Sequence, residues 1–556
     1  MGCHISIPLI GTLLCLLAGF DSSTAEIIQS DICIYGGTAA GIAAAVQARR
    51  MNHTVVILEF GSHLGGMSSG GLGATDIGNK AAIGGIAREF YHHVAQHYAQ
   101  QDSWRLETIE HYFHSHSKNQ VPSTLNSPDA TMWTFEPHVA EDIFFEMVSD
   151  AKAPVYFQQR LASVKKNGAR IVEIVMESGR IIRARMFIDA SYEGDLMAKT
   201  GIAYTIGREA NAKYDETLNG ICAETPKHQF VVAVDPYAKP GDPNSDLLPF
   251  IHNAEPGPAG ETDRSVQAYN FRLCYTQVAA NRLAHTAPPQ YDPAKYELLA
   301  RYLEGLLAAG HKPKLDDFWH PVALPNGKTD INNNGGFSTD FIGANYEYPD
   351  ANYETRAKLW QEHADYIRGF VYFLATSPRV PESMRNEMQT WGPAKDEFLD
   401  TENWPHQLYI REARRMISDY VMTEHNCRGK IKAEDPVGLA AYTMDSHNCR
   451  RIARGGHVEN EGDVQVGGFP PYPISYRSII PRSAECENLL VPICLSASHI
   501  AYGSIRMEPV FMILGQSAAT AASLAMDAGT TVQKLPYQKL HGRLVRDKQV
   551  LEWRTR

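Results

Sequence analysis

The sequence contains no block of five or more consecutive Lys or Arg residues. Acidic residues outnumber basic ones, 63 Asp and Glu against 52 Lys and Arg, which gives a formal net charge of −11. An acidic surface without a basic block repels polyphosphates and anionic lipid headgroups. The composition therefore predicts no nucleic-acid partner and no binding to an anionic membrane surface.

Long single-residue tracts and internal repeats are also absent, and charged residues make up only 21% of the chain. Disordered, collagen-like and coiled-coil chains have other compositions, so these architectures are excluded as the main one. A globular protein remains. At roughly 100–200 residues per domain, the 556 residues allow two to four domains.

Long apolar runs are limited to one, residues 5–20, which is followed by polar residues and a small-x-small site at residues 23–25. A run this short and this close to the N-terminus predicts a secretory signal peptide over residues 1–25 and not a transmembrane anchor. We therefore expect an exported protein, periplasmic or extracellular, with no stable membrane span after signal removal.

Cysteine is scarce, with nine residues in the chain, and Cys3 and Cys15 lie in the predicted signal peptide. Seven mature cysteines are an odd number, so in an oxidising compartment at least one thiol stays free or pairs between chains. Cys33 lies in an apolar run and is predicted to be a buried free thiol. A core of this size needs no disulfide framework.

A glycine-rich turn near the N-terminus joins two short apolar strands through a helix of small residues. The first strand covers residues 30–35, the turn 36–41, the helix continues through 42–48, and the second strand covers 54–59. This order and length are typical of a dinucleotide-binding βαβ unit.

Each part of this unit has its own physical reason. Gly36 permits the tight turn, and the small residues Thr38 and Ala39 let the backbone approach a pyrophosphate at the helix N-terminus. Thr38 stands where such turns usually have a second glycine. Gly41 lets the helix lie close to the sheet, and Glu59, 18 residues further on, can accept hydrogen bonds from a ribose diol.

Further strands are predicted after residue 150. The pattern indicates a strand at 154–157 and then a β-meander at 161–165, 170–177 and 180–188, because turn residues separate the apolar stretches. The last of these strands ends at a small-residue corner, Ala190 and Ser191. Such an ending is typical of the second half of a flavin-binding sheet.

Residues 205–480 differ in character from the flanking parts. Prolines, aromatics and asparagines predict loops at 236–258 and 328–340, with helices at 355–375 and 408–421 between them. The α/β pattern then returns, with a strand at residues 487–492, a loop that contains His499, and a long helix near residues 509–528 with a face of small residues.

Seven stretches of the sequence together resemble the FAD-dependent oxidoreductase family, whose members are often exported and sometimes carry the label xanthan lyase. These stretches are residues 35–44, 63–72, 188–196, 267–273, 332–340, 409–416 and 496–509. The resemblance spans about residues 30–530. It implies an α/β fold, with a Rossmann-like FAD-binding domain and β-meander similar to that of glutathione reductase, plus an inserted α+β substrate domain. It also implies FAD as a non-covalent cofactor.

The implied domains follow the chain in five parts. Residues 1–25 are the signal peptide, 26–204 the first parts of the FAD-binding domain, 205–480 the substrate or cap domain, 481–535 the C-terminal part of the FAD-binding domain, and 536–556 a C-terminal tail.

By the resemblance, the pyrophosphate is lined by Gly36, Gly37, Thr38, Ala39, Ala40 and Gly41, and the adenosine ribose is held by Glu59. The ribityl chain and ring would pass beside Gly65, Gly66 and Met67. Ala190 and Ser191 would close the adenine-side corner, and Ser504 and Met507 belong to the segment that would cover the isoalloxazine. The helix that starts at Pro509 would point its N-terminus at the flavin N1/C2 edge, which suits the anion of a reduced flavin.

Dehydrogenation of an alcohol or amine needs a base of suitable pKa, and histidine is the usual one. His499 is the leading candidate because its loop lies between the last strand and the ring-covering helix, although it could instead tie down its own turn. Arg506 and Glu508 are a substrate-anchoring cation and its orienting acid, or a structural ion pair. His447 has an acidic neighbour that could orient its imidazole.

No metal site is predicted, since His92, His93 and His97 on one predicted helix lack a frame of cysteines or acids. Covalent FAD attachment through His63 is not expected either, because its offset from the glycine run differs from that of covalent flavoproteins.

The leading hypothesis is an exported FAD-dependent oxidoreductase that transfers a hydride from a small polar substrate, such as a sugar or sugar derivative, to flavin N5. One alternative keeps the flavin for a net non-redox elimination or isomerisation. Another is a carbohydrate-binding protein with a degenerate flavin fold. The sequence leaves the substrate, the electron acceptor, the disulfide pairing and the oligomeric state open.

Overall fold

The computed structural model describes residues 26–116, 125, 127–222, 224–253 and 256–554. These residues form a mixed α/β protein. The predicted signal peptide lies outside the described residues, so its prediction is unchanged.

The strands and helices follow one another along the whole described chain. The strands are β1 Ile27–Tyr35, β2 Val55–Leu58, β3 Val155–Tyr156, β4 Leu161–Asn167, β5 Arg170–Met176, β6 Ile181–Asp189, β7 Tyr204–Thr205, β8 Leu273–Thr276, β9 Trp319–Leu324, β10 Lys328–Asn333, β11 Gly392–Pro393, β12 Arg415–Met416, β13 Pro436–Ala440, β14 Met444–Ser446, β15 Arg450–Arg454, β16 His457–Glu461, β17 Val464–Val466, β18 Tyr472–Ser475 and β19 Leu489–Leu490. The helices are α1 Ala39–Arg50, α2 Gly85–Tyr98, α3 Ile109–His116, α4 Pro137–Asp150, α5 Asp195–Thr200, α6 Glu297–Ala308, α7 Tyr353–Thr376, α8 Glu382–Met388, α9 Glu424–Cys427, α10 His499–Ile505, α11 Glu508–Asp527 and α12 Tyr537–Arg546.

The main sheet has seven strands in the order β3-β2-β1-β6-β5-β4, with β19 also paired to β6. Strand β1 is parallel to both β2 and β6, so its carboxyl end lies between theirs. The strands predicted at residues 154–188 all form, and β4, β5 and β6 pair antiparallel as a meander. Consecutive buried residues such as Ile32 and Cys33 show that both faces of β1 are covered, as parallel sheets require.

Helix α11 lies against α1 at very close range. A Cβ atom on Gly515 would collide with the backbone carbonyl of Ala40, so only glycine allows the two helix backbones to approach this closely. Within the described residues, α11 is the one helix long and apolar enough to cross a membrane by length and composition alone. Because 94% of the apolar 18-residue stretch of this helix is buried inside the protein, α11 is a core helix.

Two local predictions for the middle of the chain are wrong. Part of the loop predicted at 328–340 is the strand β10, which lies between β8 and β9 in a four-stranded antiparallel sheet. The buried Lys328 ammonium contacts Glu397 and Glu136, at 2.6 and 2.8 Å. Carboxylates from distant segments therefore stabilise a polar sequence in a buried strand.

The helix predicted at 408–421 does not form. This segment is mostly extended, and its strand β12 pairs with β7. Its arginines bind carboxylates on three separate segments: Arg411 pairs with Asp340, Arg414 with Asp195 and Arg415 with Glu209. Partners on several sides suit an extended chain better than a helix with one buried face.

Two other features of the described chain bear on the sequence predictions. Cys33 is buried and free as predicted, and the other six described cysteines also have no disulfide partner among the described residues. Part of the predicted C-terminal tail is helix α12, which buries Leu540 and Leu544.

The contact between α1 and α11 predicts the effect of a single methyl group. We expect Gly515→Ala to lower the free energy of unfolding by about 1–3 kcal/mol, because the new Cβ overpacks the helix contact. The matched control is Gly542→Ala in α12, where a Cβ meets only the end of the Arg546 side chain at 3.8 Å. This control should be about 0.5–1 kcal/mol more stable than the parent. Urea unfolding measures both, and equal stability of the two variants would contradict the close packing.

Candidate functional site

The predicted glycine turn lies at the carboxyl end of β1, against the end of β6. Gly36 has a φ of +108°, and a Cβ atom there would run into the backbone of Ala190. Thr38 donates a hydrogen bond from Oγ1 to the carbonyl of Ala190, at 2.8 Å, and accepts one from the Gly41 N–H, at 3.2 Å. The turn is thus locked to the corner after β6 and caps α1 at the same time.

Glu59 follows β2 and points at the same turn. Its carboxylate accepts hydrogen bonds from the backbone N–H groups of Gly37 and Gly61, each at 2.6 Å. Burial raises the pKa of Glu59 to about 6, although the backbone N–H groups oppose this by stabilising the anion.

The second glycine run returns to the first. The N–H of Gly65 donates to the carbonyl of Gly37 at 2.8 Å, and a short 3-10 turn, Gly66–Ser68, follows. The Met67 N–H donates to the hydroxyl of Tyr192, at 2.9 Å. The structure therefore brings together the residues predicted around Gly36, Glu59, Gly65 and Ala190.

Glu508 joins this group from the C-terminal part of the chain. As the first residue of α11, it accepts a hydrogen bond from the Tyr192 hydroxyl at 2.7 Å, and Ser68 Oγ lies 3.4 Å from its other oxygen. The prediction that Glu508 orients Arg506 is wrong, because Arg506 pairs instead with Asp445, at 2.8 Å. Met507 caps α11 and is buried beside them.

A buried polar cluster surrounds His447 and Arg506. His447 Nδ1 lies 2.8 Å from Asp340, and its Nε2 lies 3.5 Å from the same Asp445 that binds Arg506. The Tyr409 hydroxyl accepts a hydrogen bond from Arg506, at 2.9 Å. Two of the predicted catalytic residues therefore share one carboxylate.

The charged groups around His447 raise its pKa. Burial and Arg411 disfavour the imidazolium, but Asp340 and Asp445 outweigh them and raise the pKa of His447 above its ordinary value. The two carboxylates stabilise the imidazolium that forms when a general base takes up a proton.

Buried polar atoms around this cluster lack partners. Among the described residues, Asn270 Oδ1, Asn448 Oδ1 and His228 Nδ1 are buried and have no hydrogen-bond partner. The His228 ring lies nearly parallel to that of His447, with centroids 6.4 Å apart. Unpartnered buried polar atoms are rare in folded proteins, and these three offer hydrogen-bonding atoms that a polar ligand can use.

His499 lies in a neighbouring and completely enclosed cluster. It is the first residue of α10 and not part of a loop as predicted. Its Nδ1 lies 2.7 Å from Glu412 and its Nε2 lies 3.0 Å from Ser446, so both ring nitrogens are engaged. Only 1% of the side chain is exposed. This arrangement favours the alternative in which His499 holds its own segment in place.

The two clusters are connected through Gln267. Its amide N–H donates to Glu412 at 2.9 Å, and its carbonyl accepts from the His447 backbone N–H at 3.1 Å. Ser504, predicted near the flavin, donates a hydrogen bond to the carbonyl of Tyr442, at 2.6 Å.

Sequence reasoning did not identify Tyr192, Asp340 or Tyr409 as site residues, and it named Asp445 only as the acidic neighbour of His447. All but Asp445 lie inside the stretches that carry the family resemblance, which was the available signal. Their roles depend on contacts with residues more than 60 positions away, such as Asp445 with Arg506.

Two groups of side chains have spacings that metal sites also show. Among the described residues these are His63, Glu141 and His406, and Glu136, His138 and Glu397. In the second group the Lys328 ammonium already takes the position of a cation. In the first, the rings of His63 and His406 are stacked at 3.9 Å and 3°, and parallel rings cannot both direct a lone pair at one ion. The absence of a metal site stays a prediction.

A family model described as FAD dependent oxidoreductase matches residues 31–544. The chain belongs to this family. The protein is therefore an FAD-dependent oxidoreductase with FAD as its cofactor. No curated protein matches the chain in sequence.

Solved structures with partial similarity to this oxidoreductase include three enzymes. OxyS anhydrotetracycline hydroxylase from Streptomyces rimosus is 12% identical, with 38% of each chain covered and a TM-score of 0.22. The L-amino acid deaminase from Proteus vulgaris is 14% identical, with 39% of this chain and 57% of that chain covered and a TM-score of 0.24. The 3-ketosteroid-delta4-(5alpha)-dehydrogenase from Rhodococcus jostii RHA1 is 16% identical, covering 33% and 50%, with a TM-score of 0.19. The chain thus spans between 38% and 57% of these chains, and at these TM-scores the matches carry no argument about its chemistry.

The turn after β1 fits the charge and shape of FAD. A helix leaves its first N–H groups without intrahelical partners, and the first turn of α1 carries no acidic residue that would repel a pyrophosphate. Gly36 and Gly37 leave no room for side chains between this turn and its neighbours. The buried Glu59 carboxylate provides an acceptor for a diol beside it.

The enclosed geometry of His499 predicts that its cluster supports the fold. We expect Glu412→Ala to destabilise the oxidoreductase by about 3–5 kcal/mol, because it leaves the buried Arg415 and His499 without this carboxylate. Glu89→Ala, which breaks the exposed pair with Arg50, is the control and should cost less than about 1 kcal/mol. Urea unfolding measures both. A Glu412→Ala protein of parental stability that has lost turnover would instead return His499 to a catalytic role.

Proposed function

We propose that this oxidoreductase binds FAD along the turn after β1 and removes a hydride from a small polar substrate in the His447 cluster. The substrate class that we propose is a sugar or sugar derivative. The observation that carries the proposal is that His447 and Arg506 share Asp445. Arg506 lies only two residues before Glu508, which belongs to the cofactor group. Substrate and cofactor groups are therefore adjacent along one short segment.

The residues proposed to hold FAD divide by its parts. The turn Gly36–Gly41 and the N-terminus of α1 would bind the pyrophosphate, Glu59 the ribose, and Gly65, Gly66 and Met67 the ribityl side. The flavin supplies a hydride-accepting N5 atom when bound. The attachment that we propose is non-covalent, because His63 is engaged by Glu141 at 3.0 Å.

His447 is the proposed base. Its Nδ1 proton bonds Asp340, which leaves Nε2 to take the proton of a substrate hydroxyl. Asp445 then lies 3.5 Å from that nitrogen and stabilises the imidazolium. Arg506, fixed by Asp445 and Tyr409, orients the substrate oxygen.

The charge balance of the cluster supports a neutral substrate. Arg411 and Arg506 are each paired with an aspartate, so their charges are already compensated. Hydroxyl groups both donate and accept hydrogen bonds, which suits a mixture of unpartnered amide oxygens and a ring nitrogen such as Asn270 Oδ1 and His228 Nδ1. These features support a polyhydroxylated substrate over a carboxylate.

We further propose a Rossmann-like FAD-binding domain interrupted by a substrate domain over residues 205–480. Asp340, Tyr409 and His447 all come from that stretch, which supports its role in substrate binding. Export to the periplasm or the extracellular space remains our proposal, and it rests on the apolar run at residues 5–20.

The test of this function is anaerobic mixing of the purified flavoprotein with panels of sugars, hydroxy acids and amines. We expect a sugar to bleach the flavin absorbance lastingly and acid denaturation to release all of the flavin. Turnover without lasting bleaching would favour elimination or isomerisation, and a protein that never takes up FAD would contradict the proposal.

The role of His447 is tested in the same measurement. We expect His447→Gln to slow flavin reduction by about 10²–10⁴-fold, because the proposed base is lost, with unchanged FAD content. The matched control is His285→Gln, which changes a histidine that bonds the backbone carbonyl of Met388 in the middle region. Parental reduction rates in His447→Gln would remove His447 from the mechanism.

A further inference from the structure

One tyrosine hydroxyl joins three distant segments of the chain. The Tyr192 hydroxyl accepts a hydrogen bond from the Met67 backbone N–H at 2.9 Å and donates one to Glu508 at 2.7 Å. Ser68 contacts the second oxygen of Glu508 at 3.4 Å. We call Tyr192, Glu508 and Ser68, together with the Met67 N–H, the Tyr192 latch.

The latch fixes the position of the 3-10 turn. Gly66 has a φ of +57°, and a Cβ atom on it would strike the Tyr192 hydroxyl and ring. The ring itself is almost fully buried and lies beside Phe511 in α11, with centroids 6.3 Å apart. Because the buried ring packs beside α11, it holds the backbone at Gly66 and Met67 at hydrogen-bond distance from its hydroxyl.

Among the residues that the structure describes, Glu508 is a buried acceptor with no cation paired to it. Its side chain contacts two hydroxyl groups, and Arg506, the cation nearest in sequence, is bound to Asp445. Burial raises the pKa of Glu508 to about 7, although the bonds from Tyr192 and Ser68 oppose the rise. As the first residue of α11 it also lies where the helix dipole stabilises an anion.

The bonds that Glu508 makes lead to Tyr192 and Ser68 beside the glycine turn. They connect the corner after β6, the turn Gly66–Ser68 and the start of α11, which are three of the stretches proposed to line FAD. We propose that Tyr192 and Glu508 are positioning residues that hold the Gly66–Ser68 turn in the conformation that binds FAD. This inference rests on the proposed function.

Loss of the hydroxyl should act on this turn more than on the fold. Without it the Met67 N–H loses its acceptor, and a buried N–H without a partner costs about 1–3 kcal/mol. The turn can relieve that cost by rotating, because glycines at 65 and 66 allow many backbone conformations. A rotated turn no longer presents the same surface to the cofactor.

The experiment measures FAD binding to apoprotein from which the flavin has been removed, by the change of flavin fluorescence. We expect Tyr192→Phe to raise the dissociation constant for FAD at least about tenfold. The matched control is Tyr296→Phe, because Tyr296 is also buried, bonds the Tyr366 carbonyl at 2.8 Å and has its hydroxyl packed against Gly369. This control should lose similar stability in thermal unfolding of the apoprotein but bind FAD within about twofold of the parent.

Conservative and non-conservative changes at Glu508 separate positioning from simple structural support. Glu508→Gln keeps an oxygen that accepts from Tyr192 and should keep FAD affinity within about threefold, whereas Glu508→Ala should weaken it as Tyr192→Phe does. The visible spectrum of bound flavin should shift in the two weakened variants only.

Each result decides a separate point. Parental FAD affinity in Tyr192→Phe, or equal losses in Glu508→Gln and Glu508→Ala, would overturn the latch while leaving the proposed function intact. A parent protein that binds no FAD would overturn the proposed function and the latch with it.

Discussion

The parallel pairing of β1 with β6 is the constraint on which the candidate site depends. Its register runs from Ile27 opposite Ile181 to Tyr35 opposite Asp189, so both strands end at the same height. The chain therefore leaves them side by side, and the glycine turn meets the corner at Ala190. Gly36 is required there because its φ is positive and any side chain would enter the Ala190 backbone. Tyr192, two residues further on, then reaches the second glycine run.

Buried ion pairs are the second organising feature, and they occur mainly in the middle region. Arg208 binds both Asp263 and Glu461, while Lys328 is surrounded by carboxylates. Such pairs add little net stability because both ions must be desolvated, but removal of one partner is strongly unfavourable. Their value here is geometric. They fix loops that have few hydrogen bonds of regular structure, so the polar cluster around His447 is held in place without a large sheet.

The sequence predicts correctly those elements whose conformation is determined by residues close to them in the chain. A glycine turn between two apolar strands predicted β1, α1 and β2, since turn conformation and helix capping depend on adjacent residues. The helix prediction for residues 408–421 was wrong because the local charge pattern allows a helix, whereas the conformation is set by distant carboxylates such as Asp340 and Glu209. The pairing of Arg506 with Asp445 instead of Glu508 was not predicted for the same reason, because Asp445 is distant from Arg506 in sequence.

The junction between α10 and α11 places a residue of the His447 cluster next to a residue that contacts the glycine runs. Arg506 ends one helix and Glu508 begins the next, and the extended Met507, with a ψ of 137°, separates them. The side chains on either side consequently reach different partners: Arg506 binds Asp445 of the His447 cluster, and Glu508 binds Tyr192 beside the glycine runs. Both helices are buried along almost their whole length, so this three-residue junction cannot shift freely. A rigid break between two packed helices is therefore enough to hold a polar cluster at a fixed distance from the turn proposed to bind the cofactor.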